Sequence, residues 1–172
     1  MAKNKPFHGH GTKHQKHRLN HCFGCGRDNP DGMRLKFFID GESRRTFCKF
    51  KLTRRYQGPP GHAHGGIIAT ILDEAMGKVN KFRNVLALTK QMDVEYVKPV
   101  PLGKTLTVIG HESHVRGRRH VNVAEITNEA GEVLARGKGL FIVVDPAKMF
   151  ARFIANDAVT KKQTPGRTKL NQ

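Results

Sequence analysis

The segment His62-Ala63-His64-Gly65-Gly66-Ile67-Ile68-Ala69-Thr70-Ile71-Leu72-Asp73-Glu74-Ala75-Met76-Gly77 constrains the fold more than any other part of the chain. Gly58-Pro59-Pro60-Gly61 forms a turn that stops any strand before it. The apolar period of a helix then sets in behind two glycines. Projected on a helix, Ile68, Ile71, Leu72, Ala75 and Val79 make a wide apolar stripe suited to packing on a sheet. The opposite side holds Ala69, Thr70, Asp73 and Gly77. A solvated face would carry Lys, Arg and Glu, whereas small side chains around one carboxylate let a second backbone come close. Both faces are therefore expected to be packed.

Asp73 in that setting is a partly desolvated acid, and burial raises a carboxyl's pKa. It stands about 12 Å beyond the helix start at roughly 1.5 Å per residue, too far to cap its own helix, although a substrate lying along the helix could touch both places. The N–H groups of the first turn, at Gly65 and Gly66, have no helical partners and suit a developing oxyanion. The carboxylate suits a general base or a nucleophile. A lone acid in an amphipathic helix equally serves as a solvated or ion-paired residue, so the helix alone leaves catalysis open.

The 172 residues suit one domain with tails. At 37% hydrophobic residues and no Trp the core is modest, and self-association would add burial. Lys and Arg number 31 against 14 acids, a formal charge of +17 that favours polyanionic ligands: nucleic acid, anionic lipid or a phosphorylated cofactor. No apolar run approaches the roughly 18 residues of a membrane span, and no apolar segment follows the N-terminal lysines as a secretory signal requires. Three cysteines, an odd number, argue against a disulfide framework and for a reducing compartment, the cytoplasm.

Residues 1–21 are basic and polar, with His8, His10, His14, His17 and His21, and are expected to attach loosely. Cys22-Phe23-Gly24-Cys25-Gly26 is half of a zinc site for which nearby histidines could supply the missing ligands. No second Cys pair follows at finger spacing. The expectation is therefore no metal and no cofactor, with Cys22 and Cys25 packing or hydrogen-bonding in a turn.

Strand patterns run over Met33–Asp40 and Arg44–Thr53, joined by Asp40-Gly41-Glu42-Ser43. After the helix come Val85–Val97, Lys104–His114, His120–Asn128 and Val133–Val144, separated by short turns that predict an antiparallel meander. Ala147–Ala158 reads as a short helix, and residues 159–172 as a basic tail. The architecture is α+β: about six antiparallel strands wrapped around one central helix over residues 22–146. Such wrapping leaves the small-residue face of the helix to be covered, and the simplest cover is a second copy.

Several pieces together resemble the hotdog-fold acyl-CoA thioesterases, in the branch that includes the phenylacetyl-CoA-type and THEM-type enzymes. The carriers are Cys22-Phe23-Gly24-Cys25-Gly26 with Asn29-Pro30-Asp31-Gly32-Met33, Gln57-Gly58-Pro59-Pro60-Gly61, His64-Gly65-Gly66 followed by Asp73, Val97-Lys98-Pro99-Val100-Pro101-Leu102-Gly103, and Gly131-Glu132-Val133-Leu134-Ala135. The resemblance implies two subunits paired into a continuous sheet, in a homodimer or a dimer of dimers, with active sites at the interface and hydrolysis of an acyl-CoA thioester. It implies Asp73 as base or nucleophile, Gly65 or Gly66 as the N–H that polarises the carbonyl, His64 shaping that loop, and Thr89 holding the water or Asp73. One departure stands out. The amide many relatives carry before the His-Gly motif is Gly58 here, with Gln57 one residue away.

Hydrolysing a thioester needs no strong general acid, because the thiolate leaves well; a nucleophile or base and an oxyanion site suffice. The clustered Arg116, Arg118 and Arg119 are candidates for the CoA phosphates, or a solvated basic turn. Two other classes remain: a non-catalytic module that binds acyl-CoA, and a zinc-containing basic protein that binds nucleic acid.

Overall fold

The computed structural model describes residues 20–151. The basic His-rich stretch before them, Phe153 and Ile154 of the expected terminal helix, and the basic tail lie outside the described residues. The elements in order are β1 (Phe38–Asp40), β2 (Arg45–Lys51), a 3-10 turn (Arg54–Tyr56), α1 (Gly65–Val79), a second 3-10 turn (Asn80–Arg83), β3 (Ala87–Tyr96), β4 (Thr105–Arg116), β5 (Arg119–Asn128), β6 (Val133–Val143) and α2 (Pro146–Met149). The strands form one antiparallel sheet in the order β1-β2-β4-β5-β6-β3. It wraps around α1, the hotdog arrangement.

The apolar stripe of α1 faces that sheet. Ile68, Ile71, Leu72 and Ala75 are buried in one core with Leu106, Val108, Ala124, Ile126, Ala135 and Phe141, and Val79 is buried as well. Ile71 and Leu72 are wholly inaccessible, and burying such a side chain stabilises by roughly 1.5–3 kcal/mol. The helix also comes close enough to exclude side chains. A Cβ on Gly110 would lie 2.7 Å from the Ala75 carbonyl oxygen, which already accepts a 3.0 Å bond from the buried Thr46 hydroxyl. Gly110 of β4, and Gly137 of β6 under Leu72 and Met76, thus let α1 sit close on the sheet.

Two expectations need correction. The stretch Met33–Lys36 is not strand: the N–H groups of Met33 and Leu35 donate to Phe23 and Gly24 carbonyls at 2.7 and 2.9 Å, so it is tied to the Cys22–Gly26 turn, and β1 begins only at Phe38. The meander holds for β4, β5 and β6, but β3 lies at the far edge, against β6. Residues 97–104 carry the chain across. Pro99 and Pro101 cannot donate to a ladder, and the segment leaves the sheet, with Val97 and Lys98 N–H on Leu134 O at one end and Gly103 N–H on Leu52 O at the other. Midway, Ala63 N–H donates to Val100 O at 2.9 Å, so the crossing passes over the start of α1.

The terminal helix spans Pro146–Met149, opened by Pro146 and capped by Asp145, whose Oδ1 accepts from Ala147 N–H at 2.9 Å.

Candidate active site

The Gly58–Gly61 turn delivers the chain to α1 with His64 as its N-cap. His64 Nδ1 accepts the Gly66 N–H at 3.0 Å, which leaves the ring proton of the neutral imidazole on Nε2. The fit is close, since a Cβ on Gly66 would lie 3.2 Å from His64 Nδ1. The Ile67 and Ile68 N–H groups both donate to the His64 carbonyl, at 3.0 and 3.2 Å. Among the described residues, the first-turn donor with no partner is therefore Gly65. Its own carbonyl accepts the Tyr96 hydroxyl at 3.1 Å.

Gly65 opens onto a cavity of about 400 Å³ whose walls include Ala63, Ile68, Tyr96, Val97 and Val100, with His62 and Lys98 at its polar side. The walls come from the start of α1, the end of β3 and the crossing segment. Gln57 is exposed and pairs through its backbone with Ala63. Gly58 has no room for the missing amide: a Cβ there would lie 2.8 Å from His64 Cα.

Two turns further along, Asp73 sits half-buried on the small-residue face with Ala69, Thr70 and Gly77. The Thr89 hydroxyl donates to Asp73 Oδ1 at 2.7 Å. Burial pushes the Asp73 carboxyl above the ordinary carboxylate range; the Thr89 bond pulls it down and the neighbouring Glu74 charge adds to the rise. Asp73 and Thr89 are thus brought together, while His64, Gly65 and Gly66 stand at the far end of the same helix.

Arg116 and Arg119 line a different cavity from Gly65. With Gln91, Asp93, His114 and Lys138 they line a cavity of about 360 Å³ on the sheet face away from α1, as the alternation of Lys138 with the helix-facing Gly137 and Gly139 requires. Arg118 turns back to donate to Val143 O at 2.9 Å.

Tyr96 and Lys78, which the sequence did not single out, make contacts here, as do Glu74 and His62, expected from the sequence to be structural. Tyr96 closes the cavity by Gly65; its only signal was an aromatic at the end of a strand before prolines. Glu74 accepts from Cys22 Sγ at 3.1 Å, and Lys78 Nζ lies 2.8 Å from Cys25 Sγ and 3.4 Å from Glu74 Oε2. Burial pushes the Cys25 thiol up to about 12. Nothing local to Cys22-Phe23-Gly24-Cys25 announces Glu74, which is 52 residues from Cys22. His62, whose Nδ1 lies 2.9 Å from Pro60 O, holds the turn.

A family model described as the thioesterase superfamily matches residues 60–135. The chain is 30% identical over 118 residues to acyl-coenzyme A thioesterase THEM4 of Rattus norvegicus, covering 68% of this chain and 51% of that protein. The chain therefore spans about half the length of such relatives. Among solved structures, the thioesterase superfamily protein RHA08564 superposes with a TM-score of 0.69 at 27% identity, covering 77% of this chain and 70% of that one. Protein smu.793 of Streptococcus mutans UA159, bound to acetyl CoA, superposes with a TM-score of 0.58 at 25% identity, covering 64% and 86%.

Proposed function

This chain belongs to the thioesterase superfamily, and from that membership we propose that it hydrolyses acyl-CoA thioesters to the free acid and CoA. The observation that carries the reading is the Asp73–Thr89 pair, a half-buried carboxylate held by a 2.7 Å hydroxyl bond on a helix face made of small residues. Acetyl CoA bound to the S. mutans protein supports the substrate class.

In this reading Asp73 attacks the thioester carbonyl or takes a proton from the water that does, and Thr89 holds the carboxylate in aim. The N–H of Gly65, left over when His64 takes that of Gly66, stabilises the carbonyl oxygen as charge builds on it. The C–S bond then breaks, CoA leaves as thiolate, and water supplies the oxygen of the acid and the proton of the thiol. An attacking oxygen must lie about 3–3.5 Å from the carbonyl carbon and the N–H about 3 Å from its oxygen. Gly65 and Asp73 of one helix are about 12 Å apart and do not serve one carbonyl.

A second copy resolves this. Two α1 helices antiparallel across a dyad set Asp73 of one copy against Gly65 of the other. Support comes from β3, an edge strand whose outer rim is unpaired among the described residues, and from the exposed Leu88 and Tyr96 on it. A homodimer or a dimer of dimers in the cytoplasm is the assembly we infer. No helix among the described residues is long and apolar enough to cross a membrane.

The test is thiol release from aromatic, short-chain and long-chain acyl-CoAs by the wild type and by Asp73→Asn at matched folding. We expect release by the wild type and a loss of about a hundredfold or more in the variant, the scale of a removed base or nucleophile. Binding without release by the wild type would replace hydrolysis with a CoA-binding role.

A further inference from the structure

The turn Cys22–Gly26 is built to hold its two cysteines on one side. Gly26 N–H donates to Cys22 O at 2.8 Å, and a Cβ on Gly26 would lie 2.4 Å from that oxygen, so the turn closes tightly only with glycine there. The following segment fixes it from below through Phe23 O and Gly24 O. Glu74 reaches over it from α1, so close that a Cβ on Gly24 would lie 2.4 Å from Glu74 Cγ. The result is a convergence of Cys22 Sγ, Cys25 Sγ and a Glu74 carboxylate oxygen, all within 4.8 Å of one another.

We propose that Cys22, Cys25 and Glu74 bind one zinc ion, with a solvent molecule in the fourth position. Two sulfurs and an oxygen are a donor set that suits zinc, and Zn–S and Zn–O lengths of about 2.3 and 2.0 Å give an S–O edge of about 3.5 Å in a tetrahedron. The edge between Cys22 and Glu74 is already 3.1 Å, so small side-chain rotations complete the site.

Charge also balances. Binding displaces one proton from each thiol to solvent, leaving two thiolates and a carboxylate around a dication, a net charge of −1. The Lys78 ammonium, at 2.8 Å from Cys25 Sγ and itself largely buried, supplies the missing positive charge as a hydrogen-bond donor to a metal-bound thiolate. The ion would pin the N-terminal loop to α1 at the residue after Asp73, a structural tie rather than part of the chemistry.

The test uses the full chain, stripped of metal with a chelator under reducing conditions and titrated with Co2+, whose thiolate charge-transfer absorption scales with the number of sulfur ligands. We expect saturation at one equivalent, displacement by Zn2+, and half or less of the band in Cys22→Ser and in Cys25→Ser. Glu74→Gln, which keeps the shape of the side chain, should weaken binding tenfold or more, and Lys78→Met about 10–100-fold as a lost outer-sphere partner. Replacing His8, His10, His14 and His17 together with Ala should leave the band intact.

Three results would overturn the proposal: no charge-transfer band, a band that keeps its full intensity in either serine variant, or a band lost with the four histidines. Thermal midpoints of the metal-free variants establish that each is folded. The readout is the metal's absorption, so the outcome is independent of whether acyl-CoA is hydrolysed.

Discussion

Thr89 Oγ1 donates a 2.7 Å hydrogen bond to Asp73 Oδ1, and it does so because β3 carries a bulge at Lys90. Met92 pairs with Gly139, which faces α1, and strict alternation from Met92 would turn Thr89 away from the helix. The register shift between Thr89 and Gln91 reverses the alternation, so that Thr89 pairs with the core residue Phe141 and meets Asp73.

Thr89→Val should therefore lose the bond without losing the fold. A hydrogen bond to a charged group is worth about 1.5–3 kcal/mol, which corresponds to a fall of about ten- to hundredfold in kcat. Thr89→Ser, which keeps the hydroxyl, should recover most of it. Steady-state CoA release at saturating substrate checks both, and equal rates for Val and wild type would remove Thr89 from the site.

A separate consequence follows for His64. As N-cap it satisfies the Gly66 N–H, so His64→Ala should cost about 1 kcal/mol in stability. His64→Asn, a good cap, should restore the stability. If His64 acts only by shaping the helix start, the Asn variant regains activity as well. Urea midpoints alongside CoA release separate cap from chemistry.

Gly110→Ala tests the helix seating. The added methyl meets the Ala75 carbonyl at 2.7 Å, a backbone atom that cannot rotate aside. Overpacking of this kind typically costs about 1–3 kcal/mol, and the urea midpoint should fall accordingly.

Buried His120 gives a stability signature in pH. Burial lowers its pKa below the ordinary 6.5, the nearby Arg83 charge lowers it further, and Glu112 opposes both. The unfolded chain thus takes up the proton first, so stability is intact above the ordinary value and falls as the pH drops through it towards the folded value. His120→Asn retains a polar group toward Asn80, whose Oδ1 lies 2.9 Å from His120 Nδ1, but does not titrate. Thermal midpoints measured from pH 8 to about pH 5 should decline more steeply in the wild type than in the variant.

If the site needs Asp73 from one copy and Gly65 from another, specific activity should fall on dilution together with the dimer. Sedimentation and CoA release over one concentration series check it; a fully active monomer would place both groups of the reaction in a single chain.

Much of this was legible locally. The start of α1 is written in Gly58–Gly66, its buried stripe in the spacing from Ile68 to Val79, and the unusual position of Asp73 in the small residues around it. These signals are readable because helix period, turn preference and side-chain size act over a few neighbouring residues. Tertiary structure alone decided the rest. It set β3 at the edge beside β6 and carried residues 97–104 over the helix start, reversed Thr89 toward Asp73 through the Lys90 bulge, gave the Gly66 N–H to His64, and set Glu74 over Cys22 and Cys25. Each of these joins groups according to how the sheet closes over the helix, and a contact across 52 residues of chain leaves no periodic trace at either end.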